Sequence, residues 1–184
     1  MSRLNTPATI DAAPAATHTA LKTVEKQLGV VPNLFRVVAN SPAALAGYLQ
    51  LSGAAAQGGL DAATRERIAL AVAEINGCGY CLSAHAYLGR KLAKLDDAEI
   101  AANRHGASND PKADAAVRFA VDVVRQRGHV SDDQVGAVRS AGYSDAQVLD
   151  ILLAVALNTF TNYVNEVAET EIDFPVVQPL KLAA

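Results

Sequence analysis

The chain predicts an all-α protein, a single-domain helical bundle, and three observations carry that prediction. Apolar residues recur at three- and four-residue spacing, and the short alternating runs that would build a sheet are missing. Glycines stand where helical patterns stop, at Gly29, Gly77 and Gly128, and short polar caps stand where they start. With 184 residues, 51% hydrophobic and 19% charged, the chain is long enough for one sizeable core and short for two. The domain is read as 1–184, with a flexible or extended leader over 1–17 and a core motif region at about 60–92.

Each element has its own signal. THTALKTVEKQLG has helical spacing and stops at Gly29. VVPNL interrupts, because Pro32 disfavours helix in the residue before it, and FRVVAN follows. SPAALAGYLQLSGAAAQ restarts with Ser41 as cap and Pro42 in the first turn. A helix from Asp61 runs to Gly77, and CGYCLSAHAYLGRKLAK is the next. Asp96 with Glu99 is an Asp-capped variant of the capping box, whereas Ser131 with Gln134 and Ser144 with Gln147 fit it fully. PKADAAVRFAVDVVRQRG is amphipathic and closes at Gly128. The last helix, DAQVLDILLAVALNTFTNYVNEVAETE, is very apolar in its middle and reads as central or as part of a subunit interface.

Composition narrows the function. A net charge of −3 gives no basic excess for binding nucleic acid. No apolar run reaches the roughly eighteen residues of a membrane span, and the first twenty residues lack the apolar run of a secretory signal. A cytoplasmic location is expected. In that reducing compartment two close cysteines point to redox or metal chemistry rather than to a structural disulfide.

Both cysteines lie in NGCGYCLSAH, residues 76–85. If helix runs from Cys78 through His85, then at about 100° per residue Cys78, Cys81 and His85 fall within about 60° on one face. Thiols one turn apart can reach disulfide distance, a helix start stabilises thiolate, and a histidine one turn on can relay a proton. Glu66, on the preceding arm of a hairpin turning near Gly77, comes within about 4.5 Å of His85 in axial register. It is either a partly buried proton carrier or a solvated residue of RERI. Glu74 reads as the exposed edge of that helix. Structural zinc wants four ligands, so a metal reading would need Cys78, Cys81, His85 and a carboxylate. Covalent haem needs histidine where Leu82 stands, and a thioredoxin-like fold needs βαβ flanks. Two inert packed cysteines are the remaining alternative.

The spacing E-x11-C-x2-C-x3-H at Glu66, Cys78, Cys81 and His85 resembles the alkylhydroperoxidase D-like branch of the carboxymuconolactone decarboxylase superfamily. The stretch LDAATRERIALAVAEINGCGYCLSAHAYLGRKL is similar to that family's core hairpin, and GVVPNLFRVVANSPA and LNTFTNYVNEVAETEIDFP resemble its longer, peroxidase-related members. The resemblance implies an all-helical homo-oligomer (trimer, hexamer or dimer) and thiol-dependent reduction of hydroperoxides. In the implied scheme Cys81 attacks the peroxide, Cys78 resolves the sulfenic acid to a disulfide, and a dithiol such as dihydrolipoamide or thioredoxin restores the pair. Glu66 and His85 would carry the protons, and no cofactor is called for. The best-studied type has a second histidine where Tyr80 stands. A phenol with a pKa of about 10 is a poor proton acceptor, so Tyr80 would instead bond a bound oxygen or pack. The other class compatible with the motif is a redox-responsive binding or assembly protein whose disulfide switches contacts with little turnover.

The remaining chemistry-bearing residues read as structural. His18, His105 and His129 are expected at the surface. Asn158, Thr161, Asn162 and Asn165 form a polar stripe, read first as a helix or subunit contact and second as a lining of the thiol pocket. Tyr48, Tyr87, Phe160 and Tyr163 read as core or interface, and no glycine-rich phosphate loop follows a strand.

Overall fold

A computed structural model describes residues 2–180. Among the described residues there is no strand, and a short 3-10 turn at Ala15–Thr17 precedes nine α-helices. These are α1 (His18–Leu28), α2 (Asn33–Val38), α3 (Pro42–Gln57), α4 (Ala62–Ile75), α5 (Gly79–Lys91), α6 (Asp97–Arg104), α7 (Pro111–Gln126), α8 (Asp132–Ser140) and α9 (Asp145–Ala168). The all-α prediction holds, and so do most of its boundaries. Ser41 and Asp61 accept from the backbone N–H three residues on, and both full capping boxes close in the two directions expected. Asp96 caps α6 through the Glu99 N–H, but Glu99 does not reach back. Its carboxylate is taken by Arg67 at 2.6 Å, Ser108 at 2.5 Å, Asn103 at 3.0 Å and the Asn109 N–H at 2.8 Å.

Helix α4 is the axle. From Ile68 to Glu74 every residue is buried, and the helix packs against α5, α6, α7 and α9. Leu70 and Ala73 face one apolar cluster with Leu21, Leu34, Leu45 and Leu82. Ile68, Ala71 and Val72 face a second, with Val117, Phe119, Val138, Ile151 and Val155. One helix therefore joins two half-cores, which is why its sequence is apolar around its full circumference. Helix α9 lies across the bundle against α2, α3, α4, α5, α7 and α8. By length and composition it could cross a membrane, yet Asn158, Asn162 and Asn165 are buried in its protein-facing side.

Both flanks are tied to this frame. The leader has no helix before Ala15, but Arg3 N–H donates to the Ala168 carbonyl at 2.6 Å and Arg36 holds the carbonyls of Pro7 and Ala8. After α9 the tail runs back over the start of α5. Val177 N–H donates to Ser83 Oγ at 2.9 Å and Arg104 donates to the Gln178 carbonyl at 2.7 Å.

Candidate active site

The turn between α4 and α5 places the sulfurs. Gly77 adopts φ +68°, the left-handed conformation that suits glycine, and forms the C′ position of a Schellman cap. Its N–H bonds the Glu74 carbonyl at 3.1 Å, and the next N–H, of Cys78, bonds the Ala73 carbonyl at 3.0 Å. Cys78 ends this cap and begins the next helix as its N-cap, with φ −81° and ψ 98°. The sequence places Cys78 at or near the first turn of this helix. It stands at the N-cap itself, where its sulfur accepts from the Cys81 N–H at 3.4 Å, as a serine oxygen would. Cys81 is then the third residue of α5. Both cysteines are unbridged and buried.

Four residues further along α5, His85 meets Glu66 from α4, Nδ1 to Oε2 at 2.9 Å. Of the two readings the sequence leaves open for Glu66, the contact across the hairpin is the one present, and the side chains of both are about a fifth exposed. The electrostatics divide the two sulfurs. The hydrogen bond between the thiols, followed by the nearby imidazole and the side-chain amides of Asn165 and Asn162, lowers the Cys81 pKa to about 6 against the opposing effect of burial. The same shared hydrogen bond, with burial, pushes the Cys78 thiol up. One sulfur is therefore poised to carry the charge and the other to keep the proton. Burial works against a charged His85, but the Glu66 carboxylate, Cys81 and the Asn158 carboxamide outweigh it and raise the histidine.

Cys81, and not Cys78, opens onto a cavity of about 640 Å³. Glu66 and His85 stand on its polar side with Asn158 and Thr161, and Leu34, Phe35, Tyr48, Leu88, Leu157 and Phe174 make much of its apolar wall. A thiol, an acid–base pair and an apolar chamber thus meet on one wall.

Several expectations change here. Tyr80 lines the cavity with its ring, but its hydroxyl is committed: it donates to Asp173 Oδ1 at 2.8 Å and accepts from the Leu34 N–H at 3.1 Å. Burial also pushes the phenol pKa up, so it serves as an anchor for the tail and α2 rather than as a bond to a bound oxygen. Glu74 is not an exposed edge. It is buried, bonded to Arg104 Nε at 2.6 Å and to the Leu180 N–H at 2.5 Å, because α6 and the tail fold over that end of α4. The asparagine stripe faces the thiols, not a mere helix contact: Asn165 Nδ2 donates to the Cys81 sulfur at 3.2 Å. Tyr48 and Tyr87 are cavity residues, whereas Phe160 and Tyr163 look outward. His105 and His129 are exposed, and His18, half-buried, bonds the Ala13 carbonyl at 2.9 Å. Among the described residues no cluster of three His, Cys, Asp or Glu side chains is arranged to hold a metal. Asp173 and Phe174 were missed because a tail without periodicity gives no signal of where it docks.

The fold and this wall define a helical-hairpin dithiol protein of the alkylhydroperoxidase D-like fold. Residues 42–126, the span of α3 to α7, match the carboxymuconolactone decarboxylase family profile. A peroxidase-related alkylhydroperoxidase AhpD core protein from Ralstonia eutropha JMP134 is 27% identical, with a TM-score of 0.83 over 94% of this chain and 92% of that one. A peroxidase-related protein from Silicibacter sp. TM1040 is 24% identical, with a TM-score of 0.79 over 93% and 94%. The debrominase Bmp8, in complex with 2,3,4-tribromopyrrole, shares the fold at 18% identity and a TM-score of 0.76, over 94% of each chain. No significant match is found among curated proteins.

Proposed function

We propose that the protein is a thiol-dependent peroxidase that reduces organic hydroperoxides through Cys81 and Cys78. The observation that carries this reading is the single wall on which a thiol with a lowered pKa, the His85–Glu66 pair and an apolar cavity meet. The 27% identity to a peroxidase-related protein supports it. In this reading the Cys81 thiolate attacks the terminal peroxide oxygen, and the O–O bond breaks. The departing alkoxide takes a proton from His85, which leaves Cys81 as sulfenic acid and the substrate as alcohol. The Cys78 thiol then attacks the Cys81 sulfur, releasing water and forming the disulfide. An external dithiol such as dihydrolipoamide or thioredoxin returns both thiols and leaves as its own disulfide. We further propose that the protein works in the cytoplasm and as a homo-oligomer.

Single-turnover reaction with cumene hydroperoxide or tert-butyl hydroperoxide, with free thiol counted, is the test. Wild type should lose both thiols per peroxide. Cys81→Ser should lower the rate on the order of a thousandfold, and Cys78→Ser should stop at the sulfenic acid. Persistence of both thiols in excess peroxide, or unchanged consumption by Cys81→Ser, defeats the assignment. Thiol oxidation that no dithiol turns over, with a change in oligomer size, would replace it with the switching-disulfide reading. The size and apolar wall of the cavity also favour a second substrate class, a halogenated aromatic ring like that bound by Bmp8. Bromide release from a bromopyrrole in the same assay separates the two.

A further inference from the structure

Helix α9 brings three carboxamides to the thiol wall, and α9 lies outside the family match over α3 to α7. Asn165, 2% exposed, donates from Nδ2 to the Cys81 sulfur at 3.2 Å. Asn162, fully buried, is fixed from its other pole: its Oδ1 accepts from Asn76 Nδ2 at 2.8 Å. Its own Nδ2 has no hydrogen-bond partner among the described residues. Asn76 is the C-cap of α4, so the turn that delivers Cys78 also sets the orientation of the Asn162 amide. A thiol sulfur is a weak acceptor and a thiolate a strong one. Buried N–H groups seek a partner, so the Asn165 donor is best satisfied when that sulfur is charged, and the unpartnered Asn162 amide, three residues before Asn165 on the same helix face, is the next donor available to it.

We propose that Asn165 and Asn162 form a carboxamide cradle that holds the Cys81 sulfur as its anion, with Asn165, in contact with that sulfur, a catalytic residue and Asn162 a positioning one. The proposal rests on the reading of Cys81 as the attacking thiol. Ionisation breaks the Cys81 S–H bond, the proton passes to the His85–Glu66 pair, and the electron pair stays on sulfur against the amide donors. Asn158 serves the other end of the same transfer, since its carboxamide favours the protonated His85. Both cradle amides favour the ionised Cys81, and the Asn165 donor is in hydrogen-bond contact with its sulfur.

The test reads ionisation rather than turnover, through the ultraviolet absorbance of the thiolate as a function of pH. Asn165→Leu should raise the Cys81 midpoint by about one pH unit, a tenfold loss of thiolate below it. Asn162→Leu should raise it by less. Asn165→Asp, nearly the same shape, should raise it further because a carboxylate repels the anion. In the wild-type protein, where folding is not at issue, the side-chain NH₂ resonances of Asn165 and Asn162 should titrate with the Cys81 midpoint. An unmoved midpoint in folded Asn165→Leu and Asn165→Asp, or amide resonances indifferent to the thiol, overturns the cradle. Because no peroxide enters these measurements, the cradle can stand where the peroxidase reading fails, and can fail where that reading stands.

Discussion

Cys81 and His85 have to be charged at the same time for the proposed attack: one as thiolate, the other as the acid that protonates the leaving oxygen. Each neighbour acts on one of those equilibria. Cys78, Asn165 and Asn162 favour the anion, while Glu66 and Asn158 favour the cation. A lowered thiol and a raised imidazole leave a window between them in which both are charged, so kcat/KM should be bell-shaped in pH. The acid limb then belongs to Cys81 and the alkaline limb to His85. Glu66→Gln removes the carboxylate that holds the His85 proton at 2.9 Å, so the imidazolium is lost at lower pH. The alkaline limb should move down by about one pH unit, with a smaller upward drift of the acid limb as Cys81 loses part of its cationic neighbour. An alkaline limb that stays put would remove Glu66 from the proton path.

At the scale of elements, the frame around the site depends on how α6 is clamped to α4. Arg67 of α4 and Glu99 of α6 make a buried ion pair, and Glu99 also collects Asn103, Ser108 and the Asn109 N–H. Burial by itself would raise the Glu99 pKa. The hydrogen bonds and Arg67 overcome it and hold the group at about 2, against an ordinary 4.5. Because the folded value lies below the unfolded one, this stabilisation is fully present above the unfolded value and is lost as pH falls through the folded one. It should contribute on the order of 2–3 kcal/mol at neutral pH. Glu99→Gln should therefore lower the denaturation midpoint at pH 7 and flatten the acid limb of stability against pH. Equal destabilisation of wild type and variant across that range would count against the clamp. How much of such structure could be read in advance depended on range. Caps at Ser41, Asp61, Ser131 and Ser144 are local hydrogen bonds over three residues, so the sequence names them. The hairpin that pairs Glu66 with His85 follows from helix periodicity and one turn. The asparagine stripe was visible as a pattern, but its facing partner, Cys81, lies 84 residues away in the chain. Glu74 was misread for the same reason, since its cover comes from Arg104 and Leu180.

For the whole molecule, the open question of charge and exposure sits on the outer face of α9. Leu149, Ala156, Phe160, Tyr163 and Val167 are exposed there, with Leu153 half-buried among them. Their spacing of four, three, four, three and four residues is the 3.5-residue period of a helix seam that packs against another helix. Alongside, α3 and its flanks carry no charged residue from Ser41 to Leu60, and Ala43, Ala46, Ala54 and Ala56 are exposed. A lone subunit would leave this surface in water, and a face with a seam period calls for a helix of matching period. A second copy of α9 supplies one, and a two-fold axis across the seam would bury the patch on both subunits at once. Sedimentation should therefore give a particle at least twice the 19.2 kDa of one chain. Leu149→Glu combined with Tyr163→Glu, both on the outward side, should dissociate it while leaving the helical content unchanged. A wild-type protein that sediments as a monomer at micromolar concentration, or a double variant that keeps the assembled size, would show that the seam is not the contact. The cavity gives the same experiment a second readout. Tyr48 lines it and lies 6.2 Å, ring to ring, from Phe160 on this face, so a subunit seated there would press on the cavity wall. The dissociated variant should then bind bulky hydroperoxides more weakly, with KM raised more than kcat is lowered.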